Sequence, residues 1–127
     1  MVGVQTLLRW LKNCKTAEDV WRVWLTSPVV RAFETGSIGP SSFADQLIAD
    51  LSLPVTRETF LQEFVQWPKS VLPGAIELIR SIPSRYVRAV LCNTNVLHWP
   101  RMTEEMGLGE LFECHFASHL IGKLKPD

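Results

Sequence analysis

Four consecutive residues, Cys92-Asn93-Thr94-Asn95, place a thiol, two amides and a hydroxyl directly after an apolar run. Backbone amides and such side chains can together hold an anion, for example a phosphate or carboxylate. The same residues are also ordinary turn formers. A lysine, Lys125, follows about thirty residues on, in the segment Lys125-Pro126-Asp127. A second grouping, Cys114-His115 with His119, has a spacing compatible with a metal. A structural metal site normally takes about four ligands, and Cys92 or His98 would have to complete it. Buried cysteine and strand-end histidine are the plainer reading. His98 is a candidate base with no evident nucleophile beside it. Cys92 is a candidate nucleophile with nothing nearby in sequence to lower its pKa.

These residues depend on a scaffold, and the pattern of the chain describes one. Val4, Leu7, Leu8 and Leu11 repeat at helical spacing. Thr16 suits an N-cap, with Glu18 and Asp19 favourably placed in the first turn. Trp21 and Trp24 then share one helix face. Pro28 to Glu34 reads as a further helix stopped by Gly36. Phe43, Leu47, Ile48 and Leu51 mark another, broken by Leu53-Pro54-Val55. Thr56 caps the next, whose apolar side carries Phe60, Leu61, Phe64 and Val65, and Trp67-Pro68 ends it. Pro73 fits the first turn of a helix running through Ala75 to Ile82.

At Pro83 the character changes. Tyr86 to Cys92 reads as a buried strand, Trp99 to Met106 as a helix ended by Gly107, and Cys114 to Ala117 as a second strand. Strand, helix and strand over this length imply a parallel βαβ unit. The expected fold class is therefore α/β, with residues 1–70 helical and residues 71–127 part of an α/β layer. Ligands bind beyond the carboxyl ends of strands in such sheets, which is where the Asn93-Thr94-Asn95 loop falls. Two strands alone do not make a stable sheet of this kind, so the chain reads as incomplete.

Composition narrows the partners. The 127 residues are 46% hydrophobic and 20% charged, and 13 basic residues balance 13 acidic ones. That balance gives no reason to expect nucleic acid or an anionic membrane. No run reaches the roughly 18 apolar residues of a membrane span. Residues 1–13 lack the basic start and continuous apolar stretch of a signal peptide. Three scattered cysteines do not suggest a disulfide framework. The expectation is a cytoplasmic protein.

Leu91-Cys92-Asn93-Thr94-Asn95, then His98-Trp99, then Ile121-Gly122-Lys123-Leu124-Lys125-Pro126-Asp127, resembles the haloacid-dehalogenase-like hydrolase superfamily. The nearest subgroup holds sugar-phosphate phosphatases and the N-terminal phosphatase domain of epoxide hydrolases. Arg31-Ala32-Phe33-Glu34-Thr35-Gly36-Ser37-Ile38, Phe64-Val65-Gln66-Trp67-Pro68 and Pro73-Gly74-Ala75 resemble that subgroup's helical cap and its return to the core. The resemblance covers about residues 20–127. It implies a C1-type helical cap, over residues 1–70, and a partial Rossmann-like parallel core, over residues 71–127.

The resemblance also implies roles. Cys92 stands where the family has a Ser or Thr that hydrogen-bonds the phosphoryl group; a thiol donates more weakly. Asn93 matches the following substrate-binding residue, and Thr94 belongs to the same loop. Lys125 matches the family lysine that offsets the charge of the nucleophile and phosphoryl group. The family's nucleophilic aspartate, its acid/base aspartate and its magnesium-binding acidic pair have no counterparts in residues 1–127. The implied activity is hydrolysis of a small phosphorylated metabolite through an aspartyl-phosphate and magnesium. It belongs to a complete parent, with this chain truncated at both ends and inactive alone. A non-catalytic interaction module and a 2-haloacid dehalogenase are the competing readings.

Overall fold

The structure, a computed structural model, describes residues 2–127. Five helices form its N-terminal part: α1 (Val2–Trp10), α2 (Ala17–Thr26), α3 (Pro28–Glu34), α4 (Pro40–Leu51) and α5 (Arg57–Val65). Local signals start most of them. Thr16 closes a capping box with Asp19, each side chain satisfying the other's backbone N–H. Ser27 caps α3 and Thr56 caps α5 through their hydroxyls. Pro28 and Pro40 occupy first-turn positions, where no hydrogen bond is lost.

The helices close around four aromatic side chains, Phe33, Phe43, Phe60 and Phe64, each at most 1% exposed. Phe33 stacks on Phe43 with ring centroids 4.1 Å apart, and Phe64 packs edge-on to Trp67 at 4.8 Å. Leu7, Val20, Val30 and Leu47 complete the same core. Burying such side chains contributes about 1.5–3 kcal/mol each. Gly3 lets α1 approach this cluster, since a β-carbon there would fall 2.5 Å from the Trp67 ring.

The second part begins with α6 (Ala75–Arg80), strand β1 (Ala89–Cys92) and the short turn α7 (His98–Pro100). A wider π-type turn (Arg101–Glu105), a 3-10 turn (Leu108–Leu111), β2 (Cys114–Ala117) and α8 (Ser118–Ile121) follow. The strands pair in parallel, with Ala89 opposite Cys114 and Cys92 opposite Ala117. The βαβ expectation is met. Helix α3 packs on α8, and Gly36, at φ +78°, lies so close to the His119 carbonyl that no side chain fits between them.

Three expectations need correction. Tyr86 to Arg88 does not join the ladder, and β1 is not buried: Ala89 and Leu91 are exposed, while Val90 and Cys92 are half-buried. A two-stranded sheet has open edges and too little cover to enclose an apolar strand. The helix expected over Trp99 to Met106 holds α-helical geometry only to Pro100, beyond which the turns widen. Pro73 precedes the helix it was expected to begin, and Gly74, in a left-handed conformation, takes the cap position.

Candidate functional site

The carboxyl ends of β1 and β2 carry the site. The Asn93 side chain grips the backbone of Lys125 from both sides: its Oδ1 accepts the Lys125 N–H at 2.9 Å, and its Nδ2 donates to the Lys125 carbonyl at 3.2 Å. The Lys125 ammonium donates to the Leu91 carbonyl at 3.0 Å, at the end of β1. Two segments 32 residues apart are thereby locked together. Asp127, two residues on, pairs with Arg31 of α3.

The structure therefore brings together Cys92, Asn93 and Lys125. Burial pushes the Cys92 thiol up from its ordinary pKa; the Lys125 charge pulls it down and Glu34 adds to the rise. The thiol is thus held in its protonated form, with Sγ 3.6 Å from the Asn93 carbonyl. Thr94 is placed differently. It is buried, its backbone is tied to Ser118, and its hydroxyl lies inside without a partner.

Asn95 and His98 form a second unit. Asn95 organises the entry to α7: its Oδ1 accepts the N–H groups of Leu97 and His98 at 3.1 and 3.0 Å, and its carbonyl accepts that of Trp99. His98 Nε2 lies 2.7 Å from the Phe64 carbonyl and must donate to it. Nδ1 is left to accept from the Asn95 amide at 3.2 Å. Both contacts require a neutral ring. Burial, aided by the Arg101 charge, lowers the His98 pKa accordingly, against the opposing pull of the Phe64 bond. The ring also stacks on Phe64 at 4.2 Å. His98 is thus a clamp between α5 and the loop after β1, with neither ring nitrogen free to serve as a base.

A cavity of about 680 Å³ lies between α1, α2, the Trp67–Leu72 segment and this loop. Asn93, Asn95 and His98 line it from the sheet side, and Glu34 lines it from α3. Burial raises the Glu34 pKa, while hydrogen bonding from the Trp24 side chain works the other way. Glu34 has a signal in the sequence: it follows Val30 and Phe33 at helical spacing and so falls on the buried face of α3. Asn95 is legible as a turn former preceding α7. Ser118 has no local signal, since its partner lies 24 residues away.

Among the described residues, no group of three His, Cys, Asp or Glu side chains is placed to hold a metal. The Cys114, His115 and His119 grouping does not form one: His115 Nε2 faces the Gly109 carbonyl at 2.8 Å, and the rings of His115 and His119 pack edge-on to Trp99. Nor do the residues beside Lys125 fit magnesium, which takes near-octahedral oxygen ligands. Asp127 is committed to Arg31, and Glu34 is hydrogen-bonded by the Trp24 side chain. No helix among the described residues is long and apolar enough to cross a membrane.

No protein-family model matches the sequence, and no curated protein matches it. Solved structures do. A HAD family enzyme from Bacteroides thetaiotaomicron, solved with magnesium and inorganic phosphate, superposes with a TM-score of 0.67 at 18% identity, over 87% of this chain and 59% of that one. Its magnesium complex gives a TM-score of 0.68 at 18% identity, over 93% and 66%. A predicted HAD-like family hydrolase from Porphyromonas gingivalis gives 0.65 at 20% identity, over 86% and 56%. The chain thus spans between 56% and 66% of the length of these solved proteins. At such identities the likeness is one of architecture alone, and it agrees with the helices and the parallel strand pair: the chain carries the haloacid-dehalogenase-like α/β fold.

Proposed function

We propose that this chain forms the helical cap, over residues 1–70, and the anion-holding part of the core, over residues 71–127, of a cytoplasmic hydrolase acting on a small phosphorylated metabolite. The observation that carries this reading is the Asn93 clasp on Lys125, which fixes a cation beside the loop that ends β1. In the proposed arrangement the backbone amides of the loop, that of Asn93 included, orient the phosphoryl oxygens, the Asn93 side chain holds Lys125 in place, and Lys125 balances their charge. Cys92 occupies the place of a hydroxyl donor and performs that task weakly. The inorganic phosphate bound by the Bacteroides relative supports a phosphoryl group as the common element of the substrate.

We propose further that residues 1–127 do not supply the attacking carboxylate of that chemistry and that this chain is inactive alone. A two-part experiment tests the reading. Titration with inorganic phosphate, followed by amide NMR, is expected to shift the signals of Asn93, Thr94 and Lys125, and Lys125→Ala is expected to abolish the shifts. Unmoved signals would reject the anion site. Incubation with p-nitrophenyl phosphate and magnesium is expected to release nothing; magnesium-dependent turnover would reject the inactive assignment.

A further inference from the structure

The cavity against the clasp is not lined like a sugar site. Its walls are apolar and aromatic, formed by Leu7, Val20, Trp21, Trp24, Trp67 and Leu72. The polar groups facing it from the sheet are already engaged. Both ends of the Asn93 amide hold Lys125. The Asn95 amide serves Leu97 and His98, and both His98 nitrogens are paired. Glu34, whose pKa burial raises, is hydrogen-bonded by the Trp24 side chain. The Trp67 ring is part of the wall, and its indole N–H is buried away from the open space. Lys69 and Ser70, which also line the space, are exposed to water.

A polyhydroxylated ligand would set several hydroxyls against these apolar walls, which opposes binding. A flat apolar body matches the aromatic walls. The volume lies within the usual range for small-ligand sites, about 300–1,000 Å³. We propose that the cavity takes the organic body of an aromatic phosphate monoester against these walls, with its phosphoryl group turned toward Asn93 and Lys125. The phosphoryl end rests on the function proposed above, whereas the apolar body rests on the cavity alone.

Calorimetric titration of the full chain separates the two. 1-Naphthyl phosphate is expected to bind at least about tenfold tighter than glucose 6-phosphate. Trp21→Ala and Leu72→Ser, both at exposed positions where the fold tolerates change, are expected to remove that advantage while leaving inorganic phosphate binding intact. Circular dichroism checks that each variant is folded. Equal affinity for the two esters overturns the inference, as does failure of every aromatic probe to bind. Binding of neutral 1-naphthol, lost in Trp21→Ala, with no gain from the phosphate group, would uphold the aromatic cavity and sink the anion site instead.

Discussion

The Ser118 hydroxyl bridges both backbone polar groups of Thr94, accepting its N–H at 2.9 Å and donating to its carbonyl at 2.9 Å. Ser118 begins α8 directly after β2, and Thr94 lies in the loop directly after β1, so one hydroxyl joins the carboxyl ends of the two parallel strands. Both residues are buried. Ser118→Ala leaves a buried donor and acceptor without partners, and each such group is costly. The expected loss is about 2 kcal/mol, read from urea unfolding. Because the same loop carries Asn93, phosphate affinity should fall as well, although Ser118 itself is not among the proposed anion ligands.

Cys92 offers a gain-of-function test. Its thiol is kept protonated by burial and is a weaker donor than a hydroxyl of similar size. Cys92→Ser should tighten phosphate binding by about fivefold, equivalent to roughly 1 kcal/mol of improved hydrogen bonding. Unchanged affinity would remove this position from the anion site. The wild-type thiol should also react slowly with iodoacetamide at neutral pH and faster as the pH is raised through its elevated pKa.

Two half-buried groups pull the pH dependence of stability in opposite directions. The His98 pKa is lowered from 6.5, so the folded protein resists a proton that the unfolded chain accepts. Its contribution is complete above about 6.5 and is lost as the pH falls below that value, with a slope of at most about 1.4 kcal/mol per pH unit. The Glu34 pKa is raised from 4.5, so its ionised form opposes folding at neutral pH, and that opposition is relieved as the pH falls toward 4.5. Glu34→Gln should therefore raise the Tm at pH 7, with the gain shrinking in acid. His98→Gln should lower the Tm at pH 7 by removing the clamp on Phe64, and should flatten the decline between neutral and mildly acidic pH. Thermal melts across that range check both signs.

The helical part was legible because its signals are local. The Thr16 box, the Thr56 cap and the repeats through Leu7, Leu47 and Phe64 lie within a turn or two of what they organise. Strand β2 and the parallel pairing were also legible, from β-rich runs of the right spacing. The exposure of β1 was not, since an apolar run predicts burial only where something covers it, and cover is a long-range property. The site divides in the same way. The cation and the loop were visible as residue types, but the mutual grip of Asn93 and Lys125 and the role of Ser118 depend on contacts between residues far apart in sequence. His98 shows the converse: a residue type suited to catalysis, committed by two hydrogen bonds to holding the loop in place.

The sheet itself should be the weak part of the molecule. The buried core runs through α1 to α5, with Phe33, Phe43, Phe60 and Phe64 at its centre. In the sheet, by contrast, the registered partners Leu91 and Phe116 are 51% and 46% exposed. Strands with little apolar cover open locally at low free energy, whereas amides in a packed helical core exchange only through larger unfolding. Hydrogen exchange should therefore protect Phe43, Leu47, Phe60 and Phe64 far more than Val90 and Phe116. The thermal transition should accordingly be broad, with the sheet signals lost before the helical ones. Leu91→Thr and Phe116→Thr should change stability by no more than about 0.5 kcal/mol each, because exposed side chains contribute little to the core. Equal protection in sheet and helices, or a single sharp transition at all probes, would show that the strand pair is held by the helical core rather than resting at its edge.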